Sequence, residues 1–405
     1  MSSHQRWFIL SLSLFLAMLS GCGRASPGIL ELKAATYADT TPRAREADDA
    51  GRFIAGLPGT LGSPFASLEA SEAWQEHRHR LDASWGRAEA GLITGIREFQ
   101  TQELSGPPIL NSTVFYPFGG PDAMMATVCF PNSPVYVMVG LEPAGTLPTA
   151  MQIERKKDLP KYLAEIRTTM ASELGRSFFI THQMDQQFRG QVTDGLFLPI
   201  LHLLVRTQHT ILGFRYVRVD DEGEVIERTP DYKAPTRFGN KGVEIEFRTD
   251  SNRSIHKLYY FSVNLSDERL RENKPFLAYL SRLKGTTTLL KATSYMTHRP
   301  EFSLIRDVML ANSAAILQDD SGIPYRWFQP NLWTMQLYGN YDHPYGSFRW
   351  LEQPDLRKAY NAQGPKPLSM RIGYGYSKIA SNLLLARRAS AVASTPQPHS
   401  AAGGY

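Results

Sequence analysis

Cysteine is nearly absent, with two residues in a chain of 405. That excludes a disulfide framework and every multi-cysteine zinc pattern. A dominant charge is lacking as well. Lysine and arginine total 44 against 39 acidic residues, a net of +5 that is too small and too scattered for a nucleic-acid surface. Missing too are a Gly-x-Ser-x-Gly elbow, a Walker A loop, a Gly-x-Gly-x-x-Gly turn after a strand, and His-Glu-x-x-His. Ser-x-x-Lys occurs at Ser254–Lys257 and Ser281–Lys284, without the Ser-Asp-Asn that would give it meaning. No cofactor and no metal is expected from this set. What is present is 42% hydrophobic and 11% aromatic residues, enough to build a large core without staples.

The first twenty-two residues carry the clearest signal. Arg6 precedes an apolar run from Trp7 to Met18, too short for a spanning helix of roughly 20 residues and suited to a secretory leader. The run ends in Leu19-Ser20-Gly21-Cys22. This string resembles the lipobox of bacterial lipoprotein precursors. The resemblance implies diacylation of the Cys22 thiol, cleavage before it, and an anchor in the lipid bilayer. Two or more acyl chains hold durably where one does not. Gly23 follows the cysteine, where an aspartate retains many such proteins at the inner membrane, so the outer membrane of a bacterial envelope is favoured. Cys129 is then the only remaining thiol, and its apolar neighbours Val128 and Phe130 predict a buried, inert one.

Residues 22–63 show little apolar period and are expected to form a lipidated N-terminus and flexible tether. Residues 387–405, rich in Ala, Ser, Pro and Gly, are expected to be a disordered tail. Between them, residues 64–386 read as one large α/β domain (or α+β), with a mixed, partly parallel sheet flanked by helices. The periodicity predicts a helical stretch over 68–99, weakened by Gly86, Gly91 and Gly95. Strands at 113–116 and 135–141 enclose a short helix ending near Cys129, which predicts a parallel βαβ unit. Helices follow at 159–178 and 196–210. A hairpin turns at Asp220-Asp221-Glu222-Gly223, and further strands are expected at 243–248 and 257–263. Helices at 269–283 and 302–318 flank a β-branched strand over 286–294, and aromatic-rich strands or loops close the domain at 333–341 and 370–376.

Two turn-rich stretches hold the candidate site residues. The first is Tyr116-Pro117-Phe118-Gly119-Gly120-Pro121-Asp122, with Glu142 beyond the next strand. If the strands are parallel neighbours, Asp122 and Glu142 both stand at carboxyl ends, the edge where open α/β sheets bind ligands. The plainer alternative is that Asp122 only favours a helix N-terminus and Glu142 is solvated. The second stretch is Gln318-Asp319-Asp320-Ser321-Gly322-Ile323-Pro324-Tyr325-Arg326. Asp319, Asp320, Ser321 and Arg326 could hold a hard cation or recognise a polar ligand, or could merely punctuate a helix end. Asn312 is read as a buried brace beneath this loop. Among histidines, His202 and His209 are expected two turns apart on one helix, too distant to chelate one ion without His182. His298 is the candidate acid or base. Aromatics from Trp327 to Trp350, interleaved with polar residues, suit a glycan or peptide platform or simply a loop-rich core.

Both stretches resemble strings in a group of exported bacterial proteins with no assigned activity. That resemblance implies only that the loops share one folded domain. The functional expectation is therefore an envelope-anchored lipoprotein that binds or organises an envelope component, with no nucleic-acid partner. The alternative is a periplasmic hydrolase using Asp122, His298 and Asp319. A structural assembly factor is a third class.

Overall fold

In the computed structural model the described residues are 42–176, 195–229, 232–233, 240–375 and 377–389. Cys22 with its lipobox, His182 and the chain beyond 389 lie outside them. A ten-stranded mixed sheet organises the chain, in the order β4-β3-β5-β6-β2-β1-β7-β8-β10-β9. Its centre is parallel: β6 (Ile255–Ser262), β2 (Val135–Gly140), β1 (Val114–Pro117), β7 (Thr286–Leu290) and β8 (Ser313–Gln318). Antiparallel strands complete each side: β3 (His209–Val219), β4 (Val225–Glu227) and β5 (Lys241–Thr249) beyond β6, and β9 (Trp333–Gly339) and β10 (Asn382–Arg388) beyond β8. The expected α/β class and the parallel βαβ unit are both present.

The sheet is covered on both faces, which is why β1 and β2 at its centre are apolar along their whole length. Alternation along β1 and β2 sends Val114, Tyr116, Tyr136 and Met138 into one core, and Phe115, Val137 and Val139 into the other. The first core is closed by α1 (Pro42–Ile54), α2 (Ala66–Glu69), α3 (Glu72–Ala88), α4 (Thr94–Phe99), α5 (Ala123–Cys129), α6 (Ala150–Glu154), α7 (Leu159–Arg176) and α8 (Phe197–Arg206). The second is closed by α9 (Asp267–Glu272), α10 (Lys274–Arg282), α11 (Ser303–Asn312) and α12 (Pro354–Gln363). No helix among the described residues is long and apolar enough to cross a membrane.

Several expectations are corrected. Residues 42–63 are not tether. Ala47, Ala50, Phe53 and Ile54 of α1 are buried, and Asp48 accepts the Ile211 N–H at 2.8 Å and pairs with Arg52 at 2.6 Å. Asp49 accepts the Thr60 N–H at 2.8 Å. Ahead of Phe53 and Ile54 the buried face of α1 is made of alanines and hydrogen-bonded or paired charges, so its hydropathy is that of a linker. The stretch 302–318 is a helix only to Asn312; Ser313–Gln318 is β8, hydrogen-bonded on both sides. Asn312 thus stands at the far end of β8 from the loop it was expected to brace, donating to the Leu280 carbonyl at 3.0 Å and accepting from Lys284 at 2.6 Å. The helix over 196–210 ends at Arg206, which puts His202 in α8 but His209 in β3. Pro275 starts a new helix within 269–283. Of the two closing segments expected as strands or loops, residues 333–339 are a strand and 370–375 a loop, whereas β10 carries the fold on to Arg388, past the expected boundary at 386.

Candidate functional site

The parallel strands β1, β2, β6 and β7 end side by side, and a cleft of about 160 Å3 opens beyond their carboxyl ends. Phe118, Asp122, Glu142, Asn264, Lys291 and Phe302 are among its lining residues. The chain leaves β1 toward β2 on one side, while β7 lies on the other. Connections therefore diverge between β1 and β7, and a crevice is left there for a ligand.

Asp122 is completely buried at the start of α5. One carboxylate oxygen accepts the Met125 N–H at 3.2 Å, and the other accepts the Tyr116 hydroxyl at 3.0 Å and pairs with the Lys291 ammonium. Lys291 directly follows β7, so this ion pair ties the two diverging loops together across the crevice. Burial first, and then the Asp122 charge, raises the Tyr116 pKa well above its usual value, so the hydroxyl remains a donor. A side chain at Gly119 would come within 2.7 Å of the Tyr116 ring, which packs on bare backbone there.

The backbone around the cleft is held in an unusual conformation. Phe118 (φ 63°), Ala292 (φ 51°), Ser294 (φ 54°) and Tyr295 (φ 52°) are all left-handed. A left-handed residue with a side chain costs of order 1–3 kcal/mol and persists only when its surroundings enforce it. Here they do. The Ala292 N–H donates to Asp319 Oδ2 at 2.8 Å, the Thr293 N–H to Ser321 Oγ at 2.9 Å, and the Ser294 N–H to the Tyr374 hydroxyl at 2.9 Å.

This settles where the second candidate stretch sits. Asp319, Asp320 and Ser321 are buried behind the β7 loop and brace it, and none of them lines the cleft. Asp320 accepts the Tyr295 hydroxyl at 2.5 Å and the Asn382 amide at 2.9 Å. Burial, followed by the charge of Asp320, raises the Asp319 carboxyl well above the ordinary carboxylate range, against the lowering effect of its hydrogen bonds. Arg326 is exposed and also away from the cleft. His298 likewise stands apart, edge-on to Tyr295 with ring centroids 5.0 Å apart. Burial lowers its pKa to about 4, so it is neutral near pH 7. The structure thus brings together Asp122 and Glu142, as their places at strand ends imply, and separates both from His298 and Arg326.

No protein family, curated protein or solved structure matches the chain.

Glu142 differs from Asp122 in one decisive respect. Its backbone carbonyl accepts the Tyr260 hydroxyl at 2.8 Å, but its half-buried carboxylate makes no hydrogen bond or ion pair with any described residue. Two functional-looking features escaped sequence reasoning. Lys291 was signalled only by a charged residue placed directly after the apolar end of a strand, Leu289-Leu290. Phe118 lay within the first candidate stretch, but its left-handed backbone, which sets its place in the cleft wall, is not legible from residue type. The aromatic-rich stretch divides: Phe328, Trp333, Tyr338 and Tyr341 are core, while Trp327 and Trp350 are exposed singly. Cys129 is buried, and burial pushes its thiol up to about 12. No group of three or more His, Cys, Asp or Glu among the described residues could hold a metal ion.

Proposed function

We propose that this protein is an envelope-anchored lipoprotein whose domain captures a small, hydroxyl-bearing ligand in the cleft between Asp122 and Glu142. The anchoring rests on the lipobox ending at Cys22. The binding rests above all on one observation: among the described residues the carboxylate of Glu142 has no partner, in a cleft at the point where the sheet's connections diverge. A carboxylate with both oxygens available accepts hydrogen bonds from neighbouring hydroxyls, and the apolar walls Phe118, Leu141, Leu265 and Phe302 add contact area. Binding is favoured over hydrolysis by what surrounds that carboxylate. Asp122 is spent on Lys291 and Tyr116, and His298 is elsewhere. No activated nucleophile faces Glu142 among the described residues that line the cleft.

The experiment is a thermal-shift screen of the full chain against envelope glycans, peptidoglycan fragments, short peptides and other hydroxyl-rich small molecules, repeated with Glu142→Gln. A ligand that raises the wild-type melting temperature should lose at least about tenfold in affinity for the variant, as expected for a charge-assisted hydrogen bond worth roughly 1.5–3 kcal/mol. A ligand bound equally by both proteins would place the site elsewhere. Cys22→Ser should leave unprocessed precursor without lipid, and normal membrane fractionation of that variant would remove the anchoring half of the proposal.

A further inference from the structure

We infer that the ligand of this cleft is a nucleoside, held through the two ribose hydroxyls by Glu142 and carrying no pyrophosphate at the first turn; the inference rests on the cleft being the binding site. Numbered along the chain, the five parallel strands β6-β2-β1-β7-β8 run 3-2-1-4-5. In dinucleotide-binding doubly wound sheets of this order, an acidic residue about 20 positions after a glycine-rich first turn accepts the ribose hydroxyls. Glu142 stands at that place, beyond the end of β2 at Gly140 and following the Gly119-Gly120 turn. Two vicinal hydroxyls present two O–H donors at a spacing that one carboxylate accepts with both oxygens.

The same turn is unfit for a pyrophosphate. That group needs free backbone N–H donors and net positive charge. Here the Asp122 carboxylate itself occupies the cap of α5, a helix of only seven residues, and it neutralises Lys291. With Asp122 and Lys291 paired, Glu142 is the remaining acidic side chain among the cleft's described lining residues, and no further basic one lines it there. The cleft should therefore accept neutral or cationic ligands and disfavour dinucleotides. The base has a suitable wall beside the diol site. Phe118 and Phe302 meet edge to face with centroids 5.9 Å apart, and Leu141 and Leu265 extend the apolar surface. Asn264, just past β6, accepts the Ser266 N–H at 2.9 Å through its oxygen. Its amide nitrogen makes no hydrogen bond with the described residues, so it keeps donors for a ring nitrogen or carbonyl of the base.

The test is calorimetric titration of the full chain with adenosine, guanosine and uridine, with the dideoxy analogue of the tightest of them lacking both ribose hydroxyls, with free ribose, and with NAD. At least one nucleoside should bind, its dideoxy analogue at least about tenfold more weakly, and neither ribose nor NAD more tightly than the nucleoside. Glu142→Gln should weaken the nucleoside about tenfold yet leave the dideoxy analogue nearly unchanged, an asymmetry that general loss of structure would not produce. Phe118→Ala should weaken both. If glycans bind wild type and lose affinity in Glu142→Gln while no nucleoside binds, the nucleoside inference fails and the cleft reading stands. If nothing in either panel binds, both fall. Equal affinity for the nucleoside and its dideoxy analogue would also overturn the inference.

Discussion

Lys291 and Asp122 form an ion pair with neither side chain more than a few per cent exposed, 3% and 1% respectively. Removing one partner of such a pair leaves the other charge buried in a medium that solvates it poorly. Lys291→Met should therefore destabilise the fold by about 3–5 kcal/mol, measured by urea denaturation. Replacing both, with Asp122→Asn in the same chain, should recover a large part of that loss, because no uncompensated charge then remains. Recovery of nothing would mean that the pair acts through geometry rather than charge. Glu142 offers the opposite case. Its carboxylate has no partner among the described residues to orphan, so Glu142→Gln should shift stability by no more than about 0.5 kcal/mol. That difference makes Glu142 the cleaner probe of binding.

At the scale of elements, α1 carries the largest revision to the domain boundary. Phe53 is fully buried, stacked on Phe65 at 5.0 Å and near Trp74 at 6.1 Å. Its backbone carbonyl also accepts the Trp74 indole N–H at 3.0 Å. Phe53→Ala should cost about 3–5 kcal/mol, the usual loss for a large aromatic removed from a packed core. Leu61, in the same segment, is 96% exposed, and Leu61→Ala should change stability by less than about 0.5 kcal/mol. Thermal melts of the two variants check the contrast. Similar small losses in both would return this segment to the status of a tether. The β7 loop is the second element of consequence. Its backbone from Ala292 to Ser294 is fixed from behind by Asp319, Ser321 and Tyr374, so the shape of the cleft depends on groups that do not line it.

For the whole molecule, pH sensitivity follows from buried titratable groups of two kinds. Burial lowers the pKa of His77, His209 and His298 to about 4, and that of His202 well below its ordinary 6.5. The unfolded chain binds those protons first, so each histidine costs stability as pH falls below about 6.5. The Asp319 and Asp320 carboxyls are shifted upward, burial being the first cause for each. The folded chain then binds protons before the unfolded one, and this adds stability as pH falls toward the ordinary carboxylate value of 3.8. The two contributions oppose one another. His202→Leu should make the protein less acid-sensitive, by up to about 1.4 kcal/mol per pH unit below 6.5. Asp319→Asn should make it more so. Urea midpoints of wild type and both variants between pH 4 and 7 give the slopes, and parallel curves for all three would refute this assignment.

Sequence alone determined the central βαβ unit and placed Asp122 and Glu142 at its carboxyl edge. Strand, turn and short helix are local features, and parallel pairing follows once two strands are joined by a helix. It also determined the hairpin at Asp220–Gly223, because turn chemistry is written in residue type. Only the tertiary structure decided the rest. Ser313–Gln318 has the apolar density of a helix end and becomes a strand because β7 and β10 supply backbone partners on both sides. The α1 helix reads as linker and is buried because Ile211 and Thr60 satisfy its aspartates from far along the chain or across a turn. Asp319 and Asp320 have the look of a ligand loop. They are braces instead, since their hydrogen-bond donors come from Ala292, Tyr295 and Asn382, residues that only the folded sheet brings beside them.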